Sequence, residues 1–187
     1  GIAHRTHPEI TLQVHEDYIR AGAQVITANT FSTARHVLES IDLGDQVRSI
    51  NEEAVQLARK ACDNAADDEV WIAGSISSMA PFNNEEEVAM GESVESNYRE
   101  MAEILAESGV DLFIVEMMRE TVNSILIIEA ALSTGLPVWI GYSTMMADDG
   151  KSVINWRWKN VKSKPPTGDF EELVKSTAQL GADAAGI

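Results

Sequence analysis

The sequence predicts an α/β fold in which helices cover both sides of a parallel sheet. Short apolar segments, typical of buried strands, alternate along the chain with longer segments whose apolar residues recur every three or four positions. At three places an amphipathic segment ends at a glycine shortly before a strand-like segment begins, at Gly22, Gly109 and Gly181. Repeated helix-to-strand units of this kind favour a parallel sheet.

The predicted helices and strands alternate from one end of the chain to the other. In the segment 46–65, for example, Val47, Ile50 and Ala54 share one helical face. The predicted helices span residues 7–21, 46–65, 97–107, 121–133 and 170–179. We expect the strands to pair in parallel and in the order of the sequence. They span residues 24–28, 70–74, 112–115, 138–141 and 183–187.

The periodicity fails between residues 147 and 167, a stretch that contains Trp156 and Trp158. We expect a long excursion there, formed as a loop or a hairpin at the end of a strand. Two architectures fit the whole pattern, a doubly wound open sheet and part of a (β/α)₈ TIM barrel. No glycine-rich phosphate-binding motif follows the strands 24–28 or 70–74, which makes the barrel preferable.

Composition limits the class of protein. The 187 residues are 44% hydrophobic, so we expect one domain over 1–187 with a sizeable core. A net charge of -16 would repel a polyanion, which argues against a nucleic-acid partner. The apolar runs are far shorter than the roughly 20 residues of a membrane-spanning helix. The chain starts without the apolar region of a signal peptide, and its one cysteine, Cys62, suits a reducing compartment, so we expect a cytoplasmic protein.

Polar residues that follow the predicted strands would meet at one edge of the sheet. In parallel α/β folds this edge, at the carboxyl ends of the strands, carries the binding crevice. Glu116 follows the apolar strand 112–115, which would bring a single carboxylate to the crevice. A substrate ammonium would compensate that charge, whereas an ion pair with Arg119 or another side chain would be a purely structural alternative. A small zwitterion could also contact the other polar side chains at this edge, namely Thr27, Asn29, Thr30, Ser75, Ser77, Tyr142, Ser143 and Thr144.

Several of these residues have plainer interpretations. Thr30 or Ser32 could cap the next helix. Cys62, in the middle of a predicted helix, is expected to pack against its neighbours instead of acting as a nucleophile. Four histidines have no spacing typical of metal ligands and are expected at the surface or at helix caps: His4, His7, His15 and His36.

Four blocks of the sequence stand out together. The first reads Tyr18-x-x-Ala21-Gly22-Ala23-x-x-Ile26-Thr27-x-Asn29-Thr30-Phe31. The second is Val70-Trp71-Ile72-Ala73-Gly74-Ser75-Ile76, the third runs from Gly109-Val110-Asp111 to Glu116-Met117-Met118, and the fourth is Pro137-Val138-Trp139-Ile140-Gly141-Tyr142-Ser143. In order and spacing these blocks resemble the homocysteine S-methyltransferase family, and the likeness covers nearly the whole chain.

The resemblance implies a (β/α)₈ TIM barrel, of which this chain would form about strands 2 to 6. It also implies an enzyme that transfers a methyl group to the sulfur of homocysteine and so forms methionine. By the same likeness, Glu116 would hold the amino group of homocysteine, and Asn29, Thr30 and Ser143 would line the same pocket. The methyl donor is not indicated, because family members use S-methylmethionine, S-adenosylmethionine, betaine or a methylated cobalamin.

Family members bind the homocysteine thiol to a zinc ion held by three cysteines, which lowers the pKa of the thiol. Those cysteines have no counterpart in this sequence, so no residue here is assigned to the metal or to catalysis, and zinc is expected only in a full-length parent. The chain would then be a piece of an active enzyme, truncated at both ends. Alternatively, it would be a catalytically inactive truncated barrel that acts as a small-molecule binding or assembly module. An open barrel exposes the edges of its sheet, so we expect a homo-oligomer in either case.

Overall fold

A five-stranded parallel sheet forms the centre of the structure, a computed structural model that describes residues 1–80, 92–156 and 169–187. The strands are β1 (Val25–Thr27), β2 (Trp71–Ser77), β3 (Leu112–Met118), β4 (Val138–Tyr142), β5 (Thr144–Met146), β6 (Val153–Asn155) and β7 (Ala184–Gly186). The central sheet has the order β1-β2-β3-β4-β7, and each neighbouring pair is parallel. This arrangement confirms the predicted parallel pairing in sequence order.

Helices flank the sheet and alternate with its strands. They are α1 (Ala3–Thr6), α2 (Pro8–Arg20), α3 (Arg35–Glu39), α4 (Val47–Ala65), α5 (Glu92–Glu107), α6 (Thr121–Leu132) and α7 (Phe170–Ala178). The five predicted helices correspond to α2, α4, α5, α6 and α7, although α5 begins at Glu92, earlier than expected. The helices α1 and α3 were not predicted, because elements of four and five residues are too short to show a helical period.

Two of the strands begin with the same turn. Gly109 and Gly181 have φ angles of +89° and +96°, a region that a residue without Cβ adopts readily, and each ends the turn after a helix. Two residues later, Asp111 Oδ2 accepts a hydrogen bond of 2.7 Å from the backbone N–H of Ile72. Asp183 Oδ2 accepts one of 2.8 Å from Val138 in the same way. Asp111 therefore fixes the register of β3 against β2, and Asp183 fixes the register of β7 against β4.

The alternation of side chains gives the central sheet two different faces. Ile76, Val115 and Ile140 point toward the helices and are at most 4% exposed, as part of the main apolar core. Ser75 and Glu116 lie on the opposite face, at the carboxyl ends of β2 and β3. The face that carries the predicted polar crevice is thus set by the same register that buries the core.

The structure corrects one expectation about the histidines. His7 is exposed, but His4, His15 and His36 are buried, with exposed fractions of 4%, 8% and 9%. They were predicted at the surface or at helix caps; His4 and His36 lie in α1 and α3, which leave no clear pattern in the sequence. Cys62 packs against the core from α4, as expected.

The predicted excursion begins with the turn and the second strand, β6, of an antiparallel hairpin whose first strand, β5, precedes residue 147. The rest of it, residues 157–167 with Trp158, lies outside the described residues. Among the helices that the structure describes, none has the length and hydropathy to span a membrane.

Candidate functional site

The carboxyl end of β3 departs from regular strand geometry at Glu116. The pairing of β3 with β4 shifts register between Val115 and Met118, and Met117 has a φ of +61°. A non-glycine residue in this left-handed region is uncommon and is often found beside functional sites. The irregularity sets the direction of the chain immediately after Glu116.

A hydrogen bond joins Glu116 to Ser75, and two more join Ser75 to Thr30. The hydroxyl of Ser75 donates to Glu116 Oε1 at 2.7 Å. The hydroxyl of Thr30, which follows β1, donates to the carbonyl oxygen of Ser75 at 2.9 Å and accepts from its backbone N–H at 3.0 Å. Thr30 and Ser75 are 0% and 1% exposed, so these bonds are shielded from water. Thr30 therefore stabilises the strand end that positions the Glu116 carboxylate.

The side chain of Glu116 is half-buried, and its described partner is neutral. No salt bridge joins it to a cation in the part of the chain that the structure covers, so the structural alternative of an ion pair with Arg119 is wrong. Among the described residues, the Glu116 carboxylate is compensated by a hydrogen bond but not by an opposite charge. It is electrostatically suited to a cationic group.

Asn29 and Ser143 occupy the same edge but have other contacts. The side-chain nitrogen of Asn29 lies 3.3 Å from Nδ1 of His4. An amide nitrogen can only donate, so Asn29 donates this hydrogen bond to the ring, and burial lowers the pKa of His4. Ser143 is fixed through its backbone, whose N–H donates to Met118 at 3.0 Å and whose carbonyl accepts from Trp156 at 2.8 Å. The structure thus joins Thr30 to Glu116 through Ser75, and places Ser143 beside the end of β3.

Some of the predicted polar edge does not face the crevice. Tyr142 is buried, and its hydroxyl lies 2.6 Å from that of Thr177 in α7. Neither Thr30 nor Ser32 caps α3, because the N-cap residue is Ala34 and makes no side-chain capping bond. The Thr30 hydroxyl is instead used on β2. The sequence placed Ser75 at the edge without indicating its bond to Glu116, which only the strand register reveals.

A buried cation also lies at this edge. Arg119 directly follows β3, is 6% exposed, and places its guanidinium carbon 5.4 Å from the ring centroid of Trp156. Burial lowers its pKa. The neighbouring Glu120 caps α6 by accepting bonds from the N–H groups of Val122 and Asn123 at 3.0 and 2.8 Å. The sequence offered no signal for the burial of Arg119, because a charged residue between the end of a strand and the start of a helix is usually exposed.

The residues present do not fit a zinc site built from thiolates. The single cysteine of the sequence, Cys62, lies on α4 against the core, and burial raises the pKa of its thiol. Within the described ranges, no three His, Cys, Asp or Glu side chains are grouped closely enough to hold a metal ion. No chemical step of a metal ion is therefore assigned to these residues.

Comparison with known proteins gives a consistent result. A family model described as homocysteine S-methyltransferase matches residues 2–168. Betaine–homocysteine S-methyltransferase 1 of Mus musculus is 27% identical over 139 residues, which are 71% of this chain and 32% of that protein. The corresponding protein of Danio rerio is 28% identical over 137 residues, with the same shares of 71% and 32%. The chain therefore spans about a third of the length of these two relatives.

Solved structures have the same fold. The homocysteine methyltransferase MmuM of Escherichia coli, in its metallated form, matches 75% of this chain and 53% of its own, with a TM-score of 0.58 and 24% identity. Its apo form matches 99% and 63%, with a TM-score of 0.59 and 23% identity. With the sequential parallel strand order, this likeness confirms a partial (β/α)₈ barrel. The family match covers most of the residues, and the chain belongs to the homocysteine S-methyltransferase family.

Proposed function

We propose that this chain forms the amino-acid-binding part of an enzyme that transfers a methyl group to the thiol of homocysteine and so makes methionine. Membership of the family supports the reaction class. The observation that carries the proposal for this chain is the Glu116 carboxylate, which is hydrogen-bonded to Ser75 and joined to no cation by a described salt bridge. The methyl donor is not part of the proposal.

Glu116 would bind the ammonium group of homocysteine. A half-buried carboxylate loses part of its hydration, and an ammonium group at hydrogen-bond distance restores the lost stabilisation. Ser75 occupies Oε1. The proposed substrate site also includes Asn29, Thr30 and Ser143. Thr30 contributes through its hydrogen bond to the backbone of Ser75 in β2, and the other two lie at the same strand ends.

We propose further that residues 1–187 form a single homocysteine-binding domain within a larger barrel, and that the protein is cytoplasmic. The chain's share of its relatives' length supports the larger barrel. Zinc, which the family resemblance implies, would then be held by residues other than those in this sequence, because Cys62 is the one cysteine here and lies on α4. A metal-bound thiol has a lowered pKa and is a better nucleophile.

A second candidate is a binding or assembly module without catalysis. The remote position of Cys62 favours it, since nothing described here would activate a thiol. The two candidates differ in what the full gene product does. An enzyme would form methionine from homocysteine and one of the methyl donors used in the family, whereas a binding module would bind homocysteine without turnover.

The proposal also includes self-association into a homo-oligomer. Three large apolar side chains of α2 lie four residues apart and are strongly exposed, Ile10 by 57%, Val14 by 47% and Tyr18 by 65%. Residues at this spacing share one face of a helix. A contiguous apolar stripe on a surface helix favours contact with another protein surface.

Calorimetric titration of the chain with homocysteine tests the proposal. We expect saturable one-to-one binding. Mercaptobutyrate, which lacks the ammonium group, should bind about ten- to a hundredfold more weakly, because a charge-assisted hydrogen bond is absent. Equal affinity for the two compounds would contradict the role of Glu116, and no binding of homocysteine would contradict the proposal as a whole.

A further inference from the structure

Arg119 differs from the other arginines that the structure describes. Each of those forms a salt bridge with a carboxylate: Arg5, Arg20, Arg35, Arg48, Arg59 and Arg99. Arg119 forms none with the described residues, although it is the most buried of them at 6% exposure. A guanidinium group that has lost its hydration without gaining an anion is costly to the fold. Such a residue is a candidate for binding an anionic ligand.

The neighbouring carboxylate compensates this charge only through space, without a described salt bridge to Arg119. Glu120 follows Arg119 and affects its pKa, but both oxygens of Glu120 accept hydrogen bonds from the first turn of α6. They neutralise the partial positive charge at that helix end. The guanidinium carbon lies 5.4 Å from the ring centroid of Trp156, and the buried Tyr98 of α5 also affects the pKa of Arg119. Contact with an aromatic ring holds the planar guanidinium in one orientation but does not use its N–H donors, as a carboxylate would.

Arg119 is connected to the strand ends that carry the proposed site. Arg119 leaves the carboxyl end of β3, three residues after Glu116. Trp156 donates its backbone N–H to Ser143, and Ser143 donates its own to Met118. The Trp156 ring and the Arg119 side chain are thereby tied to the ends of β3 and β4. A carboxylate and a guanidinium, neither of them in a described salt bridge, thus belong to the same strand end.

We propose that Arg119 binds the α-carboxylate of the amino acid whose ammonium group is bound by Glu116. The inference rests on the proposed function, and it makes β3 the source of both charges that recognise a zwitterion. The guanidinium fork matches a carboxylate with two parallel hydrogen bonds. Arg119 would then be a specificity-determining residue, which favours α-amino acids over simple amines that carry a thiol.

The test compares three ligands on three proteins by calorimetry. The ligands are homocysteine, aminopropanethiol, which lacks the carboxylate, and mercaptobutyrate, which lacks the ammonium group. The proteins are the unaltered chain, Arg119→Gln and the control Arg99→Gln, which changes an exposed arginine of α5. Arg119→Gln should weaken binding of homocysteine and mercaptobutyrate by about ten- to a hundredfold, and leave aminopropanethiol unchanged. Arg99→Gln should leave all three affinities unchanged.

Each outcome has a defined meaning. If Arg119→Gln leaves homocysteine affinity unchanged, or weakens all three ligands equally, the inference is wrong while the role of Glu116 stands. If the unaltered chain binds no homocysteine, both the inference and the proposed function fail. Arg119→Lys covers the case in which the glutamine variant does not fold. It keeps the charge but not the planar fork, so homocysteine and mercaptobutyrate should weaken severalfold while aminopropanethiol does not change, and equal weakening of all three would again overturn the inference.

Discussion

The hydroxyl of Ser75 donates a hydrogen bond of 2.7 Å to Oε1 of Glu116. Ser75 is 1% exposed and Glu116 is half-buried, so the bond is partly shielded from water and orients the carboxylate more strongly than a fully exposed bond would. The backbone of Ser75 is held in turn by the hydroxyl of Thr30. The position of the Glu116 carboxylate in β3 therefore depends on β2, which carries Ser75, and on the segment after β1, which carries Thr30.

Ser75→Ala should weaken homocysteine binding by up to about tenfold, because the freed carboxylate must be ordered again when the ligand binds. The matched control is Ser133→Ala, which removes a hydroxyl that bonds to the carbonyl of Ala130 at the end of α6. Titration calorimetry measures both. Equal affinities for Ser75→Ala and the unaltered chain would mean that the bond does not position the carboxylate for binding.

Stability should fall as the solution becomes mildly acidic. Burial lowers the pKa of His15 below its ordinary value of 6.5, and Nε2 of its ring has no hydrogen-bond partner. Above about pH 6.5 the ring is neutral in both the folded and the unfolded chain. Below that value the unfolded chain gains a proton that the folded chain does not, so the free energy of unfolding decreases until the lowered pKa is reached.

Replacement of His15 isolates this effect. In His15→Leu the decrease in the free energy of unfolding between pH 7.5 and pH 5.5 should be smaller than in the unaltered chain, as measured by urea denaturation at both values. His7→Gln provides the control, because His7 is exposed. The same pH dependence in all three proteins would show that His15 does not contribute to it.

Asp111→Ala should lower the free energy of unfolding by roughly 1–2 kcal/mol. The carboxylate of Asp111 accepts from the backbone N–H of Ile72 at 2.7 Å, and it forms an ion pair of 3.2 Å with the partly exposed Arg59, which adds little. Asp63→Ala, at an exposed position of α4, should cause no comparable loss. Urea denaturation tests the difference, and equal stability of the two variants would contradict the register-fixing role of Asp111.

Val14→Lys should weaken the proposed self-association, because it places a charge in the middle of the exposed stripe on α2. Glu9→Gln changes the net charge in the same direction by one unit from another exposed position of the helix, and should have no such effect. Sedimentation velocity over a range of concentrations measures the association. A monomeric unaltered chain would contradict the homo-oligomer.

The strand order followed from the sequence because local patterns and the overall fold agree. Gly109 and Gly181 mark helix ends that lead directly into apolar strands, and in the structure both have the positive φ that such ends require. Parallel pairing in sequence order then follows from short strands with single helices between them. The placement of Glu116 at a strand end depended only on this order.

The details of the site could not be obtained in this way. The bond between Ser75 and Glu116 requires the register of β2 against β3, which sequence periodicity does not specify. Arg119 contacts Trp156, which is distant in the sequence and follows a hairpin. Contacts of this kind arise from tertiary packing and have no local signature.

The affinity of Glu116→Gln for homocysteine tests the central claim most directly. The substitution keeps the size of the side chain and an acceptor for Ser75, and removes only the charge. The control is Glu103→Gln, at an exposed position of α5. If Glu116 anchors the substrate ammonium, homocysteine should bind about ten- to a hundredfold more weakly to Glu116→Gln and with unchanged affinity to Glu103→Gln. Unchanged affinity in Glu116→Gln would contradict the claim that this carboxylate binds the substrate.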